Sequence, residues 1–397
     1  MNWKRKLERN WGRLGMKYKL SDICSFRKGK VEVENLNTKN YISTENMLPN
    51  KCGIIKASSL PSVALTQEYK NGDILVSNIR PYFKKIWKAK YDGGCSNDVL
   101  VFVAKSNTDR NFLYYVLADD NFFTYSMTTS KGTKMPRGDK TSIMQYEVPM
   151  IDLQTQKKIA SILKSFDEKI ELNNAINNNL LEQVLMLYRN RFINTVNNER
   201  RICRADEYFD ISIGKTPPRK EPQWFSTNPQ DITWVSISDM GTCGLYISSS
   251  SEQLTREAVE RHNVKIVTDN TILLSFKLTV GRIAITNGEM TTNEAIAHFK
   301  TDKKKINEYL YCYLKCFNYQ TMGSTSSIAT AVNSKIIKGM PFVVPTDDEL
   351  IDFHSVAAPM FAKIKANQTE SKNLTAVRDI LLPKLMSGEL DVSNIDL

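Results

Sequence analysis

The chain has 397 residues, 41% hydrophobic and 24% charged, with a formal net charge of +11. That length exceeds one domain of about 100–200 residues, and the apolar content excludes general disorder. With no run of 18 apolar residues, a membrane span is excluded too, and the basic balance points to a polyanionic partner.

The charge is uneven. Residues 1–15 carry net +4, 16–150 net +7, 151–200 net +1, 201–345 net +3 and 346–397 net −4. Two basic stretches separated by near-neutral or acidic segments suggest two nucleic-acid contacts and connectors with another task. The seven cysteines form no CxxC pair, and with three scattered histidines they offer no zinc pattern. Their odd number, without a secretory signal, fits a reducing cytoplasm.

Residues 1–15, MNWKRKLERNWGRLG, read as a basic arm or an upstream extension, because Met16 opens a plausible start. A first globular stretch follows over 16–150. Its β-rich runs are 54–56, 74–77 and 99–103, with an aromatic, helix-length run at 112–123. Basic and aromatic residues mix at Arg80, Tyr82, Phe83, Lys84, Lys85, Trp87, Lys88 and Lys90, with Arg27, Lys28 and Lys30 upstream. The later loop TTSKGTKMPRGDKTS holds Lys131, Lys134, Arg137 and Lys140 among small residues, a composition suited to entering a DNA groove.

A long helix is expected over 154–192. Ile159, Leu163, Phe166, Ile170, Asn173, Asn177, Leu180, Val184, Leu187 and Arg191 alternate spacings of four and three, the coiled-coil period. At 1.5 Å per residue this helix spans roughly 58 Å.

The second globular stretch, 196–345, repeats the first. GDILVSNIRPYFKKIWKAK at 72–90 is echoed by NTILLSFKLTVGRIAIT at 270–286, with Ser275 lying 198 residues after Ser77. NFLYYVL at 111–117 is echoed by NEYLYCYL at 307–314, and SIMQYEVPMIDL by SKIIKGMPFVVPTDDEL. Strand-like runs fall at 232–236, 271–275 and 295–299, and a helix-length run at 309–319. Candidate DNA contacts are Lys215, Arg219 and Lys220 beside two prolines, Lys277 and Arg282 after a strand-like run, and Ser324, Thr325 and Lys335 in or beside a hydroxyl-rich loop. Gln223 and Asn287 carry amides able to read adenine.

A second long helix is expected over 349–385. Phe353, Ala357, Met360, Ile364, Asn367, Ser371, Leu374, Arg378 and Leu381 map onto the first seam at an offset of 194. Pro359 suggests a kink or late start, and Gly388 a stop. The expected fold is α+β: two pseudo-symmetric, mixed globular domains separated by a long antiparallel two-helix coiled coil. That pair would act as a ruler, with Asn173, Asn177, Asn367 and Ser371 setting register. The boundaries are 1–15, 16–150, 151–195, 196–345, 346–390 and a tail, 391–397.

No Walker A loop, GxGxxG or ordered acid-acid-Lys nuclease site is present, and TPPR at 216–219 lacks the amide or acid and the ring of an amino-methyltransferase motif. The chain is therefore expected to be non-catalytic. A standalone methyltransferase or nuclease, or a coiled-coil scaffold binding protein or RNA, stays open as an alternative.

The duplicated order resembles HsdS, the specificity subunit of type I restriction-modification systems. The resemblance rests on YKLSDICSFRKGK, on PMIDLQTQKKIASILKSFDEKIELNNAINNNLLEQVLMLYRNRF, on FDISIGKTPPR and on AAPMFAKI with LLPKLMSGEL. It implies two target-recognition domains, each reading part of an asymmetric bipartite DNA sequence. It also implies two modification subunits carrying S-adenosylmethionine and two restriction subunits using ATP and Mg, with no cofactor on this chain.

Overall fold

The computed structural model describes residues 17–132, 134–195, 197, 200–322, 332–392 and 395. The expectations for residues 1–15 and for Ser324 and Thr325 lie outside them. The chain divides into two compact units, Met1–Ile170 with Lys372–Leu397, and Glu171–Ser371.

In the first unit an antiparallel sheet runs in the order Cys24–Phe26, Val99–Ala104, Ile74–Ser77, Ile86–Lys88. The strand ILVS is buried at all four positions. Alternation explains how it serves two cores. Ile74 and Val76 join Leu100, Phe102 and the helix residues Phe112 and Leu113 on one face. On the other face, Leu75 joins Trp87, Val101 and Tyr69. A second sheet, Lys30–Glu32, Leu65–Tyr69, Gly93–Cys95, Tyr41–Ile42, ends in a parallel pair. Lys17–Lys19 pairs with Glu147–Pro149 where the chain leaves for the first long helix.

The second unit follows the same plan. Its main sheet is ordered Asp210–Ile213, Ile296–Lys300, Ile272–Ser275, Ile283–Thr286, Tyr246–Ile247. Ile272 and Leu274 face the large core while Leu273 faces a smaller one. A four-stranded sheet and the pair Arg201–Arg204 with Pro341–Val344 complete it.

Three local expectations are corrected. Residues 54–56 form only a bridge, Met47 to Ile54, because Asn50, Lys51 and Gly53 all take positive φ and turn the chain just before it. The run 112–123 is two helices, Arg110–Ala118 and Asp120–Thr128; Asp119 breaks it by turning extended and accepting from the Asn121 N–H. The late start offered for Pro359 is not seen, because its helix already begins at Asp347 and runs to Ser387.

The architecture of the connectors is corrected as well. The expected long antiparallel two-helix coiled coil separating two domains is not found as an element of the fold. Instead there are many short helices, several small sheets, and long helices that are built into the two units. Of the first helix, Leu153–Tyr188, residues 153–170 belong to the first unit and 171–188 to the second. Of the second, residues 347–371 belong to the second unit and 372–387 to the first. Ile159 and Leu163 are buried in the α+β core of the first unit with Phe112, Leu382, Leu385 and Met386, while Phe166, Ile170, Leu374 and Leu381 are half-buried. Val184, Phe353, Ala357 and Ile364 are buried in the core of the second unit with Tyr188 and Phe361, while Leu180, Leu187 and Met360 pack at its margin.

The polar positions are used within the second unit. The Asn173 Nδ2 donates to Glu370 at 2.9 Å and to the Ser371 Oγ at 3.3 Å, and the Asn367 Nδ2 donates to the Asn177 Oδ1 at 2.9 Å. Both long helices start at side-chain caps. Asp152 accepts from the Gln154 and Thr155 N–H groups, and Thr346 with Glu349 forms a reciprocal capping box. Gly388, at φ +74, ends the second helix as its left-handed cap.

Candidate nucleic-acid interface

In each unit the strand that serves both cores ends in a serine that ties down a hairpin. The Ser77 Oγ donates to the Ile79 carbonyl at 3.0 Å, and the Ser275 Oγ to the Thr279 carbonyl at 2.6 Å. The Ser77 N–H donates to the Lys85 carbonyl and the Ser275 N–H to the Arg282 carbonyl, so each loop closes back on its serine N–H. Three residues beyond each serine is a non-glycine with positive φ: Arg80 at +50° and Leu278 at +60°.

The first hairpin brings together several of the expected residues. Tyr82 and Phe83 stand exposed at the tip with ring centroids 4.6 Å apart. The Arg80 N–H donates to the Pro136 carbonyl, and a bridge joins Ile79 to Arg137, so the 131–137 loop lies alongside. That loop is itself closed by reciprocal bonds between Lys131 and Arg137. Lys134 is exposed at its turn. The Arg80 Nε is buried and has no hydrogen-bond partner among the described residues.

Several expected cations already have partners inside the protein. Arg27 forms a bidentate bond with Asp73, so it braces the fold. Lys84 shares Asp120 with Lys51, at 2.7 and 2.9 Å. Lys131 pairs with Asp139 at 2.9 Å, and Arg137 with Asp98 at 3.0 Å. Lys85 donates to the Thr44 carbonyl at 2.6 Å, and desolvation lowers its pKa. Lys88 bonds to the Asn111 side chain and lines a cleft with Arg110 and Lys157; burial lowers its pKa too. The Lys140 ammonium lies 6.0 Å from the Phe26 ring centroid.

In the second unit, Lys215 donates to the His262 carbonyl at 2.6 Å. Arg219 is held flat by two bonds of 2.9 Å to Glu252, with Phe225 at 4.1 Å and Trp234 at 4.6 Å from its guanidinium carbon. Arg282 is half-buried, donating to the Ile237 carbonyl at 2.6 Å. Gln223 and Asn287 sit apart from the hairpin tip in sequence; the Gln223 amide donates to Glu221 at 3.4 Å, and the Asn287 backbone N–H donates to the Ile247 carbonyl at 2.8 Å. Lys28, Lys30, Lys134, Lys220, Lys277 and Lys335 are exposed and make no ion pair among the described residues.

Leu278, which is 99% exposed, carries neither charge nor hydroxyl, so composition alone does not point to it. Its signal was present: position 278 is the repeat partner of Arg80. Among the described residues no group of three or more His, Cys, Asp or Glu side chains is arranged to hold a metal ion, and no helix is long and apolar enough to cross a membrane. Cys312 is buried, which raises its thiol pKa well above the usual range.

Two segments, residues 15–182 and 201–354, match the family model described as type I restriction modification DNA specificity domain. The type I restriction enzyme HindI specificity subunit of Haemophilus influenzae is 22% identical over 463 residues, covering 94% of this chain and 99% of its own. The MjaIX specificity subunit of Methanocaldococcus jannaschii is 26% identical over 322 residues, covering 74% and 72%. The crystal structure of a type I restriction-modification S subunit from M. genitalium shares the fold at a TM-score of 0.52, with 17% identity and coverage of 95% and 96%. With the family model matched over most of its length, and twice, this chain belongs to the type I restriction-modification DNA-specificity family and is the subunit that recognises DNA in a complex formed with other subunits.

Proposed function

We propose that the chain reads an asymmetric, bipartite DNA target, with one half assigned to residues 16–150 and the other to residues 196–345. The observation that carries this reading is the duplicated hairpin, which leaves an equivalent serine in each unit but carries Arg80, Tyr82 and Phe83 in one copy and Lys277 and Leu278 in the other. One scaffold with two different tips suits two different half-sites. Phosphate contacts by the exposed lysines would position the duplex and tip residues would discriminate bases.

The chain contributes recognition rather than chemistry in this reading. Two modification subunits carry S-adenosylmethionine and the methylating site, two restriction subunits carry ATP and Mg, and the complex works in the cytoplasm. The test is methylome sequencing of cells expressing the complex with residues 16–150 exchanged for those of another family member. One half-site is expected to change and the other to persist; a change in both, or in neither, refutes the assignment. Purified chain incubated with S-adenosylmethionine and target DNA is expected to transfer no methyl group, and transfer by the chain alone refutes the non-catalytic role.

A further inference from the structure

We infer that Leu278 is a specificity-determining residue, a rigidly presented apolar contact to base edges in the half-site read by the second unit. The inference rests on the function proposed above and adds a residue and a contact chemistry to it.

A single exposed leucine is ordinary on a protein surface. The backbone at this one is not. The Thr279 N–H donates to the Lys277 carbonyl at 2.6 Å, closing a three-residue turn with Leu278 at its centre and φ +60. That is the rarer, strained hand of the γ-turn, and a branched side chain is disfavoured there where glycine would not be. The turn is held on both sides. Ser275 accepts from the Arg282 N–H through its Oγ at 3.0 Å and from the Gly281 N–H through its carbonyl at 3.0 Å, while the Phe276 N–H donates to the Ala295 carbonyl. These bonds over-determine a conformation that places an apolar side chain in water. Strain of this kind is kept where a ligand uses it.

The ligand is set by the surroundings. Lys277, next in the chain, is exposed with its ammonium 5.7 Å from the Phe276 ring centroid. The repeat partner of Leu278 is Arg80, which also takes a positive φ, beside the exposed rings of Tyr82 and Phe83. The two tips thus differ at this position, and an exposed apolar side chain fits one kind of base contact a groove offers, packing against an apolar edge such as the thymine methyl.

The experiment uses the full chain in complex with its modification subunits, as wild type, Leu278→Gly and Lys277→Ala. Glycine relieves the φ strain, so the melting temperature of Leu278→Gly is expected to hold or rise. Its affinity for the target duplex is expected to fall about tenfold, the loss of one base-pair contact, and for an unrelated duplex to change less than about twofold. Methylome sequencing is expected to show relaxed preference at one position of the second unit's half-site. Lys277→Ala is expected to weaken both duplexes alike, the signature of a phosphate contact. Unchanged target affinity and methylation pattern in Leu278→Gly overturn the inference, as does an equal loss on both duplexes. A lowered melting temperature with a parallel loss assigns the side chain to the fold and also overturns it. Exchange of residues 196–345 separates the two levels: a half-site that moves with the exchange but ignores Leu278→Gly refutes only the role of Leu278, whereas one that does not move refutes the underlying assignment.

Discussion

His298 lies in the main sheet of the second unit, fully buried, with Nδ1 3.0 Å from the Ser212 Oγ and Nε2 2.7 Å from the Thr292 Oγ1. Burial, with smaller contributions from Lys300 and Lys265, lowers its pKa to about 3. The unfolded chain takes up a proton near the ordinary value of about 6.5 that the folded chain refuses. Stability therefore falls as pH drops from about 6.5 toward 3, by up to roughly 1.4 kcal/mol per pH unit from this group. Urea titrations across that range are expected to show the loss. His298→Leu is expected to be less stable at neutral pH by about 1–3 kcal/mol, since two hydroxyls lose their partner, but to show a shallower slope. At this scale the sequence was partly readable. The tip residues Tyr82 and Phe83 were found by composition. That Arg27 and Arg219 pair with Asp73 and Glu252, 46 and 33 residues away, was not readable, because folding alone brings them together.

Elements were more legible than contacts. The strands at 74–77 and 272–275 and the extents of both long helices followed from period and punctuation, because those signals are local. What covers the helices did not follow. A heptad stripe states that one face is apolar and is silent about its cover, which here is the α+β core of each unit. The seam therefore drifts: Leu382 and Leu385 are buried where the 3-4 spacing placed Leu381. Leu385→Ala is accordingly expected to cost about 2–5 kcal/mol, as a cavity in a core, and Ile380→Ala, at an exposed position on the same helix, less than about 0.5 kcal/mol; chemical denaturation of both variants checks this. The start of that helix gives a second expectation. Desolvation pushes the Glu349 carboxyl up, but bonds from Arg200, Asn197 and the Thr346 N–H outweigh it and hold it at about 2. Its contribution is present above the ordinary carboxylate pKa and lost as pH falls toward 2. Glu349→Gln is expected to lower the urea midpoint at pH 7 and to lose less between pH 4.5 and 2.

For the whole molecule, charge and repeat meet in how DNA is held. Net +7 over residues 16–150 and net +3 over residues 201–345 contrast with net −4 over residues 346–397, so the cationic surface belongs to the two repeats. Much of that charge is spent internally, as at Lys84, Lys131, Arg137 and Arg219. Six expected contacts, Lys28, Lys30, Lys134, Lys220, Lys277 and Lys335, are exposed without ion pairs among the described residues. Neutralising six phosphates releases their counterions, and the logarithm of affinity should then fall against the logarithm of salt with a slope of about −5. Titrating the complex on unrelated duplex DNA between low and physiological salt measures it. Each lysine-to-alanine change among the six is expected to make the slope about one unit shallower without altering which bases are preferred. Arg137→Ala is expected to shift the slope less, because Asp98 already holds its charge. A slope near zero in the parent complex, or one unmoved by all six changes, would remove these lysines from the interface and leave binding to the hairpin tips.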